Sequence, residues 1–102
     1  MVKLVSLMKR KDGMSRAEFA RWALDEHAPI GKRMPGIREY RISLLQADQP
    51  DTDFDGVFEL WFDSIEALQA ALDSQVGSEA REDALAHVAR RIHLRTEEHR
   101  LI

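Results

Sequence analysis

Four histidines, a single tyrosine and a glutamate set in an apolar run have the most scope for chemistry in this 102-residue chain. His27 stands first among them. It precedes Ala28-Pro29, and a proline disfavours the α conformation of the residue before it, so a helix should close near His27. A helix C-terminus favours an imidazolium and raises its pKa. An acid/base poised near neutrality suits proton transfer on a lactone, an enol or an aromatic ketone. The same position also suits a histidine that only bonds the last helical carbonyls, and both roles are open.

Tyr40 could donate a hydrogen bond to a substrate carbonyl or simply fill core. Glu59, flanked by Phe58 and Leu60, is costly to bury unpaired, and Arg41 or Arg38 on a neighbouring strand is the expected partner. Such a pair would serve as a structural ion pair or as half of a substrate site. Phe19, Trp22 and Phe62 are candidate pocket walls. Of the other histidines, His87 falls on a polar helix face, while His93 and His99 share one face of the last strand, too far apart to hold one metal. No cysteine is present, which excludes thiolate chemistry and disulfides, and no metal site is expected. The glycines are isolated at turns, with no phosphate-cradling loop, so no nucleotide cofactor is expected either.

The elements that must position these residues are legible in outline. Residues 2–9 form a near-continuous apolar strand. Ser15 and Glu18 make a capping box, Met14 can staple to Phe19, and the helix carries Phe19, Trp22 and Ala23 on one stripe. A short helical turn is expected over 30–34 before Pro35-Gly36. Strands follow at 37–45 and 54–62, joined by a polar loop over 47–53. Asp63 or Ser64 caps a helix presenting Ile65, Leu68 and Leu72, which Val76-Gly77-Ser78 interrupts. A third helix over 78–90 places Ala84, Leu85 and Val88 inward, its alternating charges reading as a solvated face. Residues 92–102 read as a fourth, less regular strand. The β-α-β-β-α-β order, with one extra helix, is an α+β ferredoxin-like split βαβ domain with an antiparallel sheet, occupying residues 1–102 as a single unit.

Two helices cover one sheet face only. Strand three nonetheless puts Phe58, Leu60 and Phe62 on one face and Val57, Glu59 and Trp61 on the other. A second apolar face argues for packing against another copy, as a homodimer. The net charge of -3 disfavours nucleic acid as a partner, and no apolar run is long enough to span a membrane. With no targeting segment, a cytoplasmic location is the default expectation.

Three blocks carry a family resemblance: Trp22-x4-His27-Ala28-Pro29, then Met34-Pro35-Gly36-Ile37-x2-Tyr40, then Asp55-Gly56-Val57-x-Glu59-Leu60-Trp61-Phe62-Asp63-Ser64, with Thr96-Glu97-Glu98-His99 as a closing strand. In this order they resemble the EthD family, named for a component of ethyl tert-butyl ether degradation and part of the dimeric α/β-barrel group. The resemblance implies a ferredoxin-like protomer and a homodimer. It implies function only at the level of small-molecule catabolism or aromatic polyketide metabolism. The expected chemistry is cofactor-independent isomerisation, dehydration or cyclisation, with His27 as acid/base and Tyr40 orienting the substrate. The alternative is a non-catalytic dimeric module that binds a hydrophobic metabolite and supports an oxygenase.

Overall fold

The structure, a computed structural model, describes residues 1–102. Its elements are β1 (Val2–Arg10), α1 (Arg16–Arg21), a π-helical segment (Trp22–His27), α2 (Ala28–Gly31), β2 (Glu39–Leu44), β3 (Gly56–Phe62), α3 (Ile65–Leu72), α4 (Gln75–His87) and β4 (Val88–Glu97). The four strands form one antiparallel sheet in the order β2-β3-β1-β4, which is the ferredoxin-like arrangement. All helices lie on one face, and the Cα envelope measures 37 × 36 × 19 Å. The protomer is a two-layer slab with one sheet face bare of helices.

The core forms where the sequence alternation directs it. Leu4 and Met8 of β1 and Phe58, Leu60 and Phe62 of β3 point to the helical layer, where they meet Phe19, Trp22, Leu68, Ala71 and Ala84. The capping box at α1 is formed in both directions, Ser15 Oγ accepting from the Glu18 amide and Glu18 from the Ser15 amide. Asp55, almost fully buried, receives the Arg10 guanidinium at 2.5 Å and the Arg10 amide at 2.9 Å. That pair ties the end of β1 to the entry of β3 and spares the carboxylate an unpaired burial.

Several expectations are corrected. The first helix does not end at His27. It widens into the π segment and rewinds as α2, and Ala28 keeps helical angles of −56° and −42° despite the proline after it. Pro29 stands in the first turn of α2, where a missing N–H is tolerated, and the wider turn gives its ring room. The break between the last two helices falls at Asp73-Ser74, not at Val76-Gly77-Ser78, which belong to the first turn of α4. Gly77 there brings α4 against the C-terminal end of α3, and a Cβ would collide with the Ala71 and Leu72 carbonyl oxygens. Leu85 and Ile65 are exposed rather than inward, because α4 and α3 use Ala84 and Leu68 for their buried stripes. Val88 opens β4 instead of ending a helix.

The bare sheet face also differs from expectation at one end. Trp61 is only 5% exposed, because Lys3 and Arg41 each lie 5.1 Å from its ring and Glu98 accepts its indole N–H at 2.9 Å. The charged side chains of the protomer itself cover it. Val5, Leu7 and Val57, with Ile92 and Leu94 of β4, form the remaining apolar part.

Candidate functional site

A cavity of about 240 Å³, open to solvent on one side, lies between the sheet and the helices. Its floor comes from inward residues of the three adjacent strands and from Tyr40 of β2; its walls come from the π segment, α2, Met34 and α4. An empty cavity of about 150 Å³ admits a benzene ring, so this one has room for a substituted ring.

His27 reaches this cavity because of the π segment. In a regular α-helix, residues five apart point about 140° away from each other at 3.6 residues per turn. The widened turn closes bonds from i to i+5, as the Ala28 amide does to the Ala23 carbonyl. Trp22 and His27 are thereby brought to one face, with ring centroids 4.8 Å apart. His87 of α4 also lies against the indole, at 5.0 Å and nearly parallel.

Asp83 of α4 holds this cluster together. Its Oδ2 accepts from Trp22 Nε1 at 3.1 Å and lies 2.9 Å from His27 Nδ1. A carboxylate only accepts, so the neutral His27 ring carries its proton on Nδ1. Nε2 has no protein partner and is left as the lone-pair nitrogen of a ring that lines the cavity. Burial lowers the His27 pKa; Asp83 opposes that shift, and the charges of Arg91 and His87 add to it. The expected upward shift at a helix C-terminus is thus reversed, because His27 lies inside a continuing helix and 6% exposed. At neutral pH the imidazole is unprotonated and can accept a proton.

Tyr40 lines the same cavity. Burial pushes its hydroxyl up to about 12, so it remains a donor throughout the neutral range. Gly31 makes room for it: a Cβ there would come within 2.6 Å of the Tyr40 ring. Phe19, Trp22 and Phe62 do not line this cavity. All three are core, and Trp22 instead donates to Asp83. Glu59 faces the opposite side of the sheet. It pairs with Lys3 at 3.0 Å rather than with Arg41, although Arg41 is its register partner. Arg41 lies over Trp61 and 3.4 Å from Glu39, and Arg38 pairs with Asp63.

Sequence reasoning missed five residues of the site. Asp83 stood in a charge pattern typical of a solvated helix. Ser6 was hidden in an apolar strand; it is 2% exposed, lines the cavity, and its hydroxyl has no hydrogen-bond partner. Arg81, Arg91 and His93 stand on the cavity's polar side, beside Gln69 and Asp73. His93 is lowered to about 4 by the protein around it and then by the Arg91 and Arg95 charges, while its ring keeps solvent contact at the cavity mouth. The alternation of Arg91, His93 and Arg95 with Ile92 and Leu94 was the available signal.

The family comparison agrees with the three sequence blocks. The EthD domain model matches residues 11–90, and the chain belongs to the EthD family. No curated protein matches the chain significantly. Among solved structures, an EthD-family protein from Bacillus halodurans superposes with a TM-score of 0.83 at 24% identity, covering 97% of this chain and 99% of that one. A protein from Arabidopsis thaliana gives 0.79 at 16% identity, over 100% and 99%. A dimeric protein of ferredoxin-like fold from Bacteroides fragilis gives 0.73 at 15% identity, over 95% of each chain. At these identities the structural likeness establishes the fold.

Proposed function

We propose that this EthD-family chain is a cofactor-independent enzyme of small-molecule metabolism that moves a proton within its substrate, using His27 as general base. The single observation that carries this is the Asp83–His27 pair: a carboxylate on Nδ1, a free Nε2, and a cavity beside the ring. Nε2 takes a proton from an acidic C–H or O–H and returns it elsewhere on the same molecule. Tyr40 donates to the carbonyl oxygen on which negative charge develops. Isomerisation, dehydration and cyclisation all fit this economy of groups.

The active form is a homodimer closed through the bare sheet face. The exposed surface of 6393 Å² exceeds the roughly 5,900 Å² of a compact monomer of this mass. Val5, Leu7, Val57, Ile92 and Leu94 supply a contiguous apolar strip, and the ferredoxin-like relative from Bacteroides fragilis is described as dimeric. The catalytic cavity lies on the other side of the sheet, so each protomer holds its own site.

The test is proton exchange. Wild type and His27→Ala are incubated in deuterated water with a panel of aromatic lactones and hydroxy-ketones, and deuterium entry is followed by NMR. Exchange by the wild type at least about 100-fold faster than by the variant is expected. Binding of panel members with no exchange by either protein would leave a binding module in place of an enzyme.

A further inference from the structure

The cavity has a second polar end that the proton-transfer reading does not use. Arg91 of β4 and Arg81 of α4 both line it, yet neither guanidinium has a carboxylate within ion-pair distance or a hydrogen-bond acceptor in the protein. Every acid nearby is engaged elsewhere or left apart. Asp83 serves Trp22 and His27, and Asp73 accepts from Gln69. Arg95, four residues beyond Arg91 on the same face of β4, shows the contrasting case, since it donates to the Gln69 side chain. Arg91 is half-buried and Arg81 is exposed. A half-buried cation with a second cation near it and no counter-charge is costly, and that cost is relieved when an anion enters.

A second observation points to the same place. Ser6 sits at the centre of the floor, paired in register with His93 on one side and Phe58 on the other. Its hydroxyl is buried and unpartnered, and it faces the cavity. A buried hydroxyl without a partner is uncommon in a native structure and implies a bond made to something that is not part of the chain. Leu4, Met8, Met34, Phe58, Leu60 and Leu72 give the apolar part of the lining, and Gln69 and Asp73 add a polar pair whose carboxylate accepts from the Gln69 amide.

We propose that the ligand of this cavity is a small organic acid whose carboxylate is held by Arg91 and Arg81, with Ser6 donating a further hydrogen bond, while its apolar body lies on Phe58 and Leu60 and presents its reactive position to His27. A carboxylate matches the planar guanidinium fork. A phosphate is the poorer match, because the α4 N-terminal amides that could cradle it are already taken, the Gly77 amide by Ser74 Oγ and the Ser78 amide by the Ser74 carbonyl. This assignment rests on the enzyme reading for the role of His27, but the anion subsite itself does not require turnover.

The experiment compares an acid with its neutral isostere. Binding of 4-methylbenzoate, 4-methylbenzamide and inorganic phosphate to the full chain is measured by calorimetry, in wild type, Arg91→Gln, Arg81→Gln and the double variant. Thermal melts of all four confirm that they fold. The wild type should prefer the acid over the amide by about tenfold or more, and the double variant should bind the two alike. The acid's affinity should fall with added salt, and the amide's should not. Equal binding of acid and amide by the wild type, no binding of the acid at millimolar concentration, or phosphate binding as tightly as the acid would each overturn the assignment. An Arg91→Gln chain that melts several degrees lower would also overturn it, since the arginine would then be structural. Failure of the enzyme reading looks different: acid preference intact, including in His27→Gln, with no His27-dependent proton exchange.

Discussion

Asp83 Oδ2 lies 2.9 Å from His27 Nδ1, joining α4 to the π segment across 56 residues of sequence and fixing which imidazole nitrogen faces the cavity. Trp22 Nε1 shares the same oxygen. The carboxylate therefore does two things at once: it satisfies a buried indole and sets a histidine tautomer.

Substitutions at Asp83 separate these tasks. Asp83→Ala leaves the Trp22 N–H buried without an acceptor, and a loss of about 1–3 kcal/mol of stability is expected in chemical denaturation. Asp83→Asn keeps an acceptor for Trp22 while removing the charge that favours Nδ1–H. Its stability should stay close to wild type, while His27-dependent proton exchange drops by about 10² or more.

Protonation should destabilise the fold on the acid side. His27 and His93 both have folded-state pKa values below the unfolded value of about 6.5. The unfolded chain therefore binds more protons below that pH, and stability rises with pH. The contribution is fully present above about 6.5 and is lost as pH falls toward the folded values, about 4 for His93. Melting temperatures from pH 7 to pH 4 should decline less steeply in His93→Gln than in wild type. A parallel decline would mean that His93 is not held neutral.

Much of this arrangement was visible in the sequence, and what escaped has physical reasons. The strand order, the Ser15–Glu18 box and the inward set Phe58, Leu60 and Phe62 follow from local pattern, so they were legible. The continuation past Pro29 was not, because a π turn leaves no periodicity signature in six residues and only tertiary packing selects it. Asp83 was unreadable for a related reason. A charged residue on a charged helix carries no mark of the indole and imidazole that fold against it. Glu59 was correctly placed in need of a partner, but Lys3 on β1 outcompeted the register-paired Arg41, whose guanidinium went to the Trp61 ring instead.

The position of the Tyr40 ring depends on the missing side chain at Gly31. Gly31→Ala would force the Tyr40 ring and hydroxyl to move, since the added methyl would lie 2.6 Å from the ring. A loss of about 1–3 kcal/mol is expected together with weaker ligand binding. Tyr40→Phe, by contrast, should keep the fold and lower the exchange rate alone. Denaturation and exchange measured on both variants check this.

The homodimer reading predicts a clean change of mass. Leu94→Glu places a charge in the middle of the proposed interface, on the sheet face opposite the cavity. Light scattering after size exclusion should give a dimer for wild type and a monomer of 11.7 kDa for the variant. A wild-type monomer would remove the dimer from the account.

The central claim is that His27 is a neutral base with its proton on Nδ1. Nitrogen-15 NMR of labelled imidazole across pH 4–8 tests it most directly. The expected result is an Nδ1–H tautomer at neutral pH, with a titration midpoint below about 6.5 that moves when Asp83 becomes Asn. A ring protonated on Nε2 at neutral pH, or a midpoint above that value, would contradict it.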